Sequence, residues 1–400
     1  MICNRRTFFA AASGLAVGIR MAAASAGNAS DRIRIGVIGT GGRARGLMGH
    51  LKKLPGNEMV ALCDVYQPRL LQAAEIAGSA AAQVADYRRI LDDRSIDAVV
   101  IGTPDHWHKA IALDAVAAGK DVYVEKPVSH TLEEGVEMVK AIEASKQIVQ
   151  TGTQQRSWDH FKLGKEIIDS GRLGQITLVH TYWYQHATAG NYPEVSMDKL
   201  DWKRWLGSAP DQPFRPERFF QWRHFWDFGG GCVTDLMTHW IDVAQWYMNV
   251  EAPLTAAATG RNYNITLWEA PDTVDVTLEF PNKFIAAYLG TYVSRVDDGG
   301  LEFRGERGTL KVDRARLAFY RDDAAYAAGT NTPEPDIYVR SSGDGTLTHL
   351  ENWLDCIRSR KQPNAPIRVG HQAARTSHIA NAALRAGHPV RWNDAAARME

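Results

Sequence analysis

The 400-residue chain is poor in cysteine, with four residues and no Cys-x-x-Cys pair. Cys3 belongs to the N-terminal segment. Cys63, Cys232 and Cys356 lie far apart and are odd in number, so neither a zinc knuckle nor a disulfide framework is indicated. Cys63 and Cys232 sit among apolar neighbours and read as small core residues. Charge of one sign is also lacking: 46 Lys+Arg against 46 Asp+Glu give a net charge of zero. The basic stripe of a nucleic-acid partner is therefore missing. No apolar run approaches the ~20 residues of a membrane span. Internal repeats are absent, as are low-complexity segments after residue 30. The remaining composition is that of a soluble globular protein long enough for two domains.

Acidic residues are absent before Asp31. There the chain reads "NRRTFFAAASGLAVGIRMAAASAG", with Arg5-Arg6, then Phe8-Phe9, a modest apolar stretch and small residues at Ala22, Ala24 and Ala26. This resembles a twin-arginine export signal with an A-x-A cleavage site, and it implies export to the periplasm. The other reading is a basic, Ala-rich disordered start. No cysteine stands beside the small-residue site, so no lipid anchor is expected.

From Ile33 the pattern changes to "RIRIGVIGTGGRARGLMGHL", a strand, a glycine turn and a helix. Strands are predicted over 58–64, 96–104, 121–125 and "QIVQTGTQ", with helices between them. Thr131 and Glu134 are spaced as a capping box. Strands alternating with helices predict a doubly wound parallel sheet, hence an α/β Rossmann domain over 31–153. After about residue 175, long alternating runs such as "DTVDVTLEFPNKFIAAYLGTYVS" predict a mainly antiparallel sheet. An α+β domain over 154–393 follows, its late helices free to pack back on the first domain.

Gly39-x-Gly41-x-x-Ala44 fits a dinucleotide fingerprint between a strand and a helix. Gly39 permits the turn and Gly41 a close pyrophosphate, while the helix N-terminus supplies donors. Gly42 and Gly46 offer a shifted reading of the same loop. Arg43 adds charge there or is a solvated helix residue. Asp64 ends the second strand, where a carboxylate accepts the ribose hydroxyls of NAD and repels the extra phosphate of NADP; alternatively it caps the next turn. Thr103 and Pro104 end the third strand at the same edge. His106 and His108 flank Trp107 but lack a third partner in sequence, so no metal site is predicted. One is expected to cap the following helix and one, His108, to lie near the cofactor.

The run "VYVEKPVSH" ends a buried strand in Glu125, Lys126 and Pro127. Lys126 either snorkels to the surface or points into the crevice, where its charge stabilises an alkoxide. In "GGGCVTDLMTHWID", Asp235 and His239 are four apart and share a helical face, with Asp242 one turn further. An acid one turn away orients a histidine and raises its basicity, which suits a general base. A satisfied buried histidine is the plainer alternative. Residues 182–228 are crowded with aromatics, among them Trp183, Trp222 and Trp226. They stack on sugars or simply pack a core. Arg223, His224 and Asp227 lie among them as possible hydroxyl partners.

Together "GVIGTGGRARG", "GTPDHWHKAIALDAVAAGKDVYVEKP", "TGTQQRS" and "GGGCVTDLMTHWID" resemble the glucose–fructose oxidoreductase, inositol dehydrogenase and rhizopine-catabolism (Gfo/Idh/MocA) family, over about residues 32–393. The resemblance implies a Rossmann domain plus a domain with a large open sheet that builds dimers or tetramers. It implies that Lys126 lies beside nicotinamide and substrate, that Asp235 and His239 are the acid–histidine pair, and that Gly39, Gly41, Asp64 and Thr103 hold the cofactor. It places Gln154 and Arg156 near nicotinamide and substrate. The expected activity is hydride transfer between a sugar or polyol carbinol and tightly held NAD, with NADP disfavoured. An exported enzyme would have to load its cofactor before export and regenerate it in place. A redox-neutral NAD-dependent glycosidase or lyase, and a non-catalytic sugar-binding protein, are the alternatives.

Overall fold

Near-continuous apolar strands need cover on both faces, and the first part of the chain meets that need with helices on either side of a parallel sheet. A computed structural model describes residues 32–323, 329, 333–393 and 398–400. The expected export segment lies outside the described residues. The order is β1 (Ile33–Ile38), α1 (Gly42–Leu51), β2 (Asn57–Cys63), α2 (Gln67–Ala77), β3 (Ala82–Val84), α3 (Arg88–Asp92), β4 (Ala98–Ile101), α4 (His108–Ala117), β5 (Asp121–Val124), α5 (Leu132–Glu143) and β6 (Val149–Thr151). Among the described residues these strands form a six-stranded sheet in the order β3-β2-β1-β4-β5-β6, parallel throughout. One face buries Ile35 and Val37 against Leu47 and Met48 of α1. The other buries Val99, Ile101 and Val124 against Ile111 of α4 and Met138 of α5. The predicted capping box is formed: Thr131 Oγ1 accepts from Glu134 N, and Glu134 Oε2 from Thr131 N.

Chain order reverses between β1 and β4, which opens a crevice at their carboxyl ends. The Gly39 turn leaves β1 there, Thr103 follows β4, and Glu125-Lys126 follow β5.

The remaining elements are α6 (Asp159–Asp169), β7 (Ile176–Tyr184), α7 (Trp202–Leu206), α8 (Pro216–Phe220), α9 (Thr238–Met248), β8 (Thr255–Arg261), β9 (Thr273–Phe280), β10 (Phe284–Thr291), β11 (Gly299–Gly305), β12 (Gly308–Asp313), β13 (Arg316–Arg321), β14 (Ile337–Arg340), α10 (Gly345–Ser359), α11 (Ile367–Ala386), β15 (Val390–Asn393) and β16 (Arg398–Met399). Among the described residues their strands make a ten-stranded sheet, β14-β13-β12-β11-β7-β10-β9-β8-β15-β16. It is antiparallel except where β7 pairs with β10. In β9, Val274, Val276, Leu278 and Phe280 point inward while Asp275, Thr277 and Glu279 face out. The inner face packs on α9, burying Trp240 and Val243 in the same core as Val276. The late helices reach both sheets: Leu350, Trp353 and Leu354 of α10 enter the core of β1 and α1, and α11 packs on α5, α9 and β8.

Candidate active site

The site begins at the turn after β1. Gly39 has φ +78°, and a Cβ there would lie 2.8 Å from the Thr103 backbone nitrogen, so only glycine fits. At Gly41 and Gly42 an added Cβ would meet nothing within 4 Å. That open space over the N-terminus of α1 is the approach a pyrophosphate needs. At the third fingerprint position Ala44 packs against Gly102, where a Cβ would come within 2.8 Å of its own. Asp64 Oδ2 accepts from Thr40 N at 2.7 Å and Oγ1 at 3.1 Å, and Oδ1 accepts from Tyr66 N at 2.9 Å. The carboxylate therefore does cap the turn, and it also lines a cleft of about 240 Å³ with Gly41, Arg43, Arg69, Thr103 and Pro104. Thr103 Oγ1 and Arg43 Nη2 are buried without a hydrogen-bond partner. Open glycines, unmet polar atoms and a strand-end carboxylate fit a dinucleotide.

A second cavity of about 420 Å³ shares Arg43, Thr103 and Arg223 with the cleft. Lys126 stands in its wall, next to a cis Lys126-Pro127 bond. Its Nζ donates to Asp235 Oδ1 at 2.6 Å and to the Asp235 carbonyl at 2.7 Å. Arg223 Nε donates to Asp235 Oδ1 at 3.1 Å and Tyr292 OH to Oδ2 at 3.2 Å. Burial alone would raise the Asp235 pKa; Lys126 and Arg223 outweigh it and hold the carboxyl well below the usual range. Behind Lys126, Glu125 Oε1 accepts from Arg43 Nε at 2.7 Å, tying the glycine loop to the end of β5.

His239 lines the same cavity, buried, its Nδ1 without a partner and its ring centroid 5.4 Å from that of Trp183. Burial, and next the Lys126 charge, push its pKa well below the ordinary histidine value. The imidazole is therefore neutral and able to take a proton.

Sequence spacing led to the expectation that Asp235 orients His239 directly. Among the described residues no hydrogen bond joins them. The reason is local: Val233–Met237 is wound as a π-helix before α9 begins, so four-residue spacing does not stack the two side chains as in an α-helix. Asp235 is spent on Lys126, and it reaches His239 through charge. Asp242 is held by Arg156, whose Nε lies 2.9 and 3.0 Å from its two oxygens.

That pair removes Arg156 from the cavity wall, where it was expected. Gln154, two residues earlier, does line the cavity, with Oε1 buried and unpartnered. Trp226 also lies elsewhere, its ring under the Arg385 guanidinium at 5.2 Å and its carbonyl 2.8 Å from His130 Nε2. Trp222 and Trp183 supply aromatic wall instead. His108 lines neither space. It is buried, with Nδ1 2.7 Å from the Pro127 carbonyl and Nε2 3.0 Å from the Thr103 carbonyl, a tie between two loops of the crevice. His106 is likewise buried, 3.2 Å from the Trp205 carbonyl. Tyr292, just past β10, and Arg314, in the turn between β12 and β13, line the cavity and carry no motif in the sequence.

Two family models match in succession. The oxidoreductase family with an NAD-binding Rossmann fold (GFO_IDH_MocA) matches residues 33–153, and the GFO/IDH/MocA C-terminal domain matches 161–311. Inositol 2-dehydrogenase 1 of Saccharopolyspora erythraea is 32% identical over 191 residues, 44% of this chain and 55% of its own length. Inositol 2-dehydrogenase 2 of the same organism is 29% identical over 257 residues, 62% and 64% of the two lengths. The chain thus spans between half and two thirds of these relatives. A levoglucosan dehydrogenase solved with NADH and L-sorbose superposes with a TM-score of 0.70 at 20% identity, covering 90% of this chain and 99% of that one, a likeness of fold. The chain belongs to the Gfo/Idh/MocA oxidoreductase family, and its residues 33–153 are the NAD-binding Rossmann domain.

Proposed function

We propose that the protein is an NAD-dependent carbohydrate oxidoreductase acting on a sugar or polyol carbinol. Gly41, Arg43, Asp64 and Thr103 would hold the dinucleotide; when bound, its nicotinamide supplies the hydride acceptor. His239 takes the hydroxyl proton as the C–H electron pair leaves and the C=O bond forms. Two of the three Lys126 N–H donors are engaged by Asp235. The third is free for the developing alkoxide. Asp235, with Arg223 and Tyr292, fixes Lys126 in place. The observation that carries this reading is the convergence of a clamped ammonium and a neutral, unpartnered imidazole on one cavity beside the glycine cleft. Lys126→Ala and His239→Ala are each expected to lower kcat by roughly a hundredfold or more in NADH formation. Near-normal turnover in either refutes its role.

One observation favours a redox-neutral glycosidase or lyase. Asp105 lines the same cavity, is 3% exposed, and burial raises its pKa well above the ordinary carboxyl value. An acid that holds its proton more tightly than a free carboxyl suits protonation of a leaving glycosidic oxygen. Phenol released from an aryl glycoside without net NADH supports that reading; a ketosugar formed with equivalent NADH supports the first.

The export segment expected from the sequence would extend the proposal to a periplasmic enzyme that carries NAD out with it. Denaturing protein recovered from the periplasm and identifying the released nucleotide tests this; protein that stays in the cytoplasm, or is exported without nucleotide, contradicts it.

A further inference from the structure

Four cationic side chains from the Lys and Arg set line the substrate cavity. Three have carboxylate partners: Lys126 and Arg223 with Asp235, and Arg43 with Glu125. Arg314 has none. Among the described residues it makes no ion pair and no hydrogen bond, and its Nε is buried and unpartnered. Its guanidinium lies 4.5 Å from the centroid of Trp183 and 5.9 Å from that of Trp240. Trp183 is the ring that also neighbours His239. Three carboxylates act on it through charge without pairing with it: Asp298 most, then Asp344, which lies 3.0 Å from His50 Nε2, and Glu125, which is held by Arg43. Burial first, and repulsion from Arg43 second, lower the Arg314 pKa to about 10, so it stays charged at neutral pH.

A largely desolvated guanidinium without an ion-paired carboxylate is unfavourable, and an aromatic face recovers only part of the loss. Chains do not need such a group for packing alone, since its stem could be any apolar side chain. A planar fork of donors beside the proton acceptor matches a carboxylate or phosphate bidentately.

We propose that Arg314 receives an oxyanion carried by the substrate, so that the enzyme acts on acidic sugars, uronates or aldonates or sugar phosphates, in preference to neutral ones. The inference rests on the oxidoreductase reading of the cavity, but its test reads binding, not turnover. Full-length protein saturated with NADH is titrated calorimetrically with glucuronate, galacturonate, gluconate and glucose 6-phosphate, each against its neutral sugar or polyol. At least one acid should bind about tenfold tighter than its neutral counterpart. Arg314→Met should bring that pair within about twofold, and Arg314→Lys, which keeps the charge without the fork, should fall between. Arg314→Gln serves if the Met variant does not fold, as judged by its melting transition. A preference confined to uronates or aldonates assigns a carboxylate, and one confined to glucose 6-phosphate assigns a phosphate ester. Acids that bind no tighter than neutral sugars, including no binding of any, overturn the proposal, as does a preference that survives Arg314→Met. Loss of the oxidoreductase reading would show separately, as undiminished turnover in Lys126→Ala and His239→Ala.

Discussion

At the scale of single residues, the central fact is what surrounds Lys126. A lysine at the end of a buried strand was readable from "VYVEKP", but its partner was not, because Asp235 lies 109 residues away. The same limit explains the misplacements. Arg156 looked free for substrate until its partner Asp242 was seen across 86 residues. Arg314 sits in an ordinary-looking turn whose significance depends on Trp183 above it. Motif residues were legible because their role is set by nearby backbone; ion-pair partners were not, because pairing is decided by tertiary packing. The environment of His239 makes a prediction here. Its pKa is depressed by burial and by Lys126, so the base stays neutral and competent to lower pH than a free imidazole. The acid limb of the kcat/KM profile should fall below the ordinary histidine value of about 6.5. A limb at or above that value contradicts the assignment.

Secondary-structure elements position these side chains, and here the glycine loop separates two roles. Gly39 is locked by a positive φ and by Thr103, while Gly41 opens on empty space. Gly39→Val should therefore cost folded yield. Gly41→Val should leave the melting temperature of the nucleotide-free protein nearly unchanged, yet weaken NADH binding by about tenfold or more. Equal effects of the two on stability would sink the distinction. Strands with β-branched runs and the Thr131 cap were legible, since propensity and cap chemistry act over a few residues. β3 was not: Ala82–Val84 is three residues long and largely exposed, too short to show a period. The π-helical turn at Val233–Met237 was also hidden, because an i, i+4 reading presumes the α-helical pitch.

For the whole molecule, a parallel sheet followed by a mainly antiparallel one was legible from alternation of strand types, whereas the return of α10 and α11 to the first sheet, left open by the sequence, was decided by long-range packing. Many histidines are buried and neutral. Burial is the leading cause that lowers His106 and His224 to about 3, and His349, His371 and His378 to about 4. Unfolded histidines protonate near 6.5, so the unfolded chain binds more protons below that pH. Stability present above about 6.5 is lost as pH falls toward 4 and 3, by up to ~1.4 kcal/mol per pH unit for each such group. Burial also lowers His108, His160 and His239, whereas Asp105 and Asp242, whose pKa values burial raises, work the other way, two groups against eight. Melting temperature should drop steeply between pH 6.5 and 4; a flat profile would contradict this burial. On the outer face of the large sheet, Leu178 and Ile285 are exposed cross-strand neighbours, with Leu289 further along β10. The family resemblance implies a dimer or tetramer, and that face would build it: light scattering should then give such an oligomer, and Ile285→Glu with Leu289→Glu should shift it toward monomer. A wild-type monomer, or an oligomer indifferent to both changes, removes the assignment.

The most direct test of the central claim is a crystal structure with NADH and a bound polyol or sugar acid. One hydroxyl oxygen should lie about 2.6–3.2 Å from both Lys126 Nζ and a ring nitrogen of His239, with the dinucleotide running over Gly41. A hydroxyl bound to only one of the two groups, or a nucleotide seated away from that glycine, would contradict it.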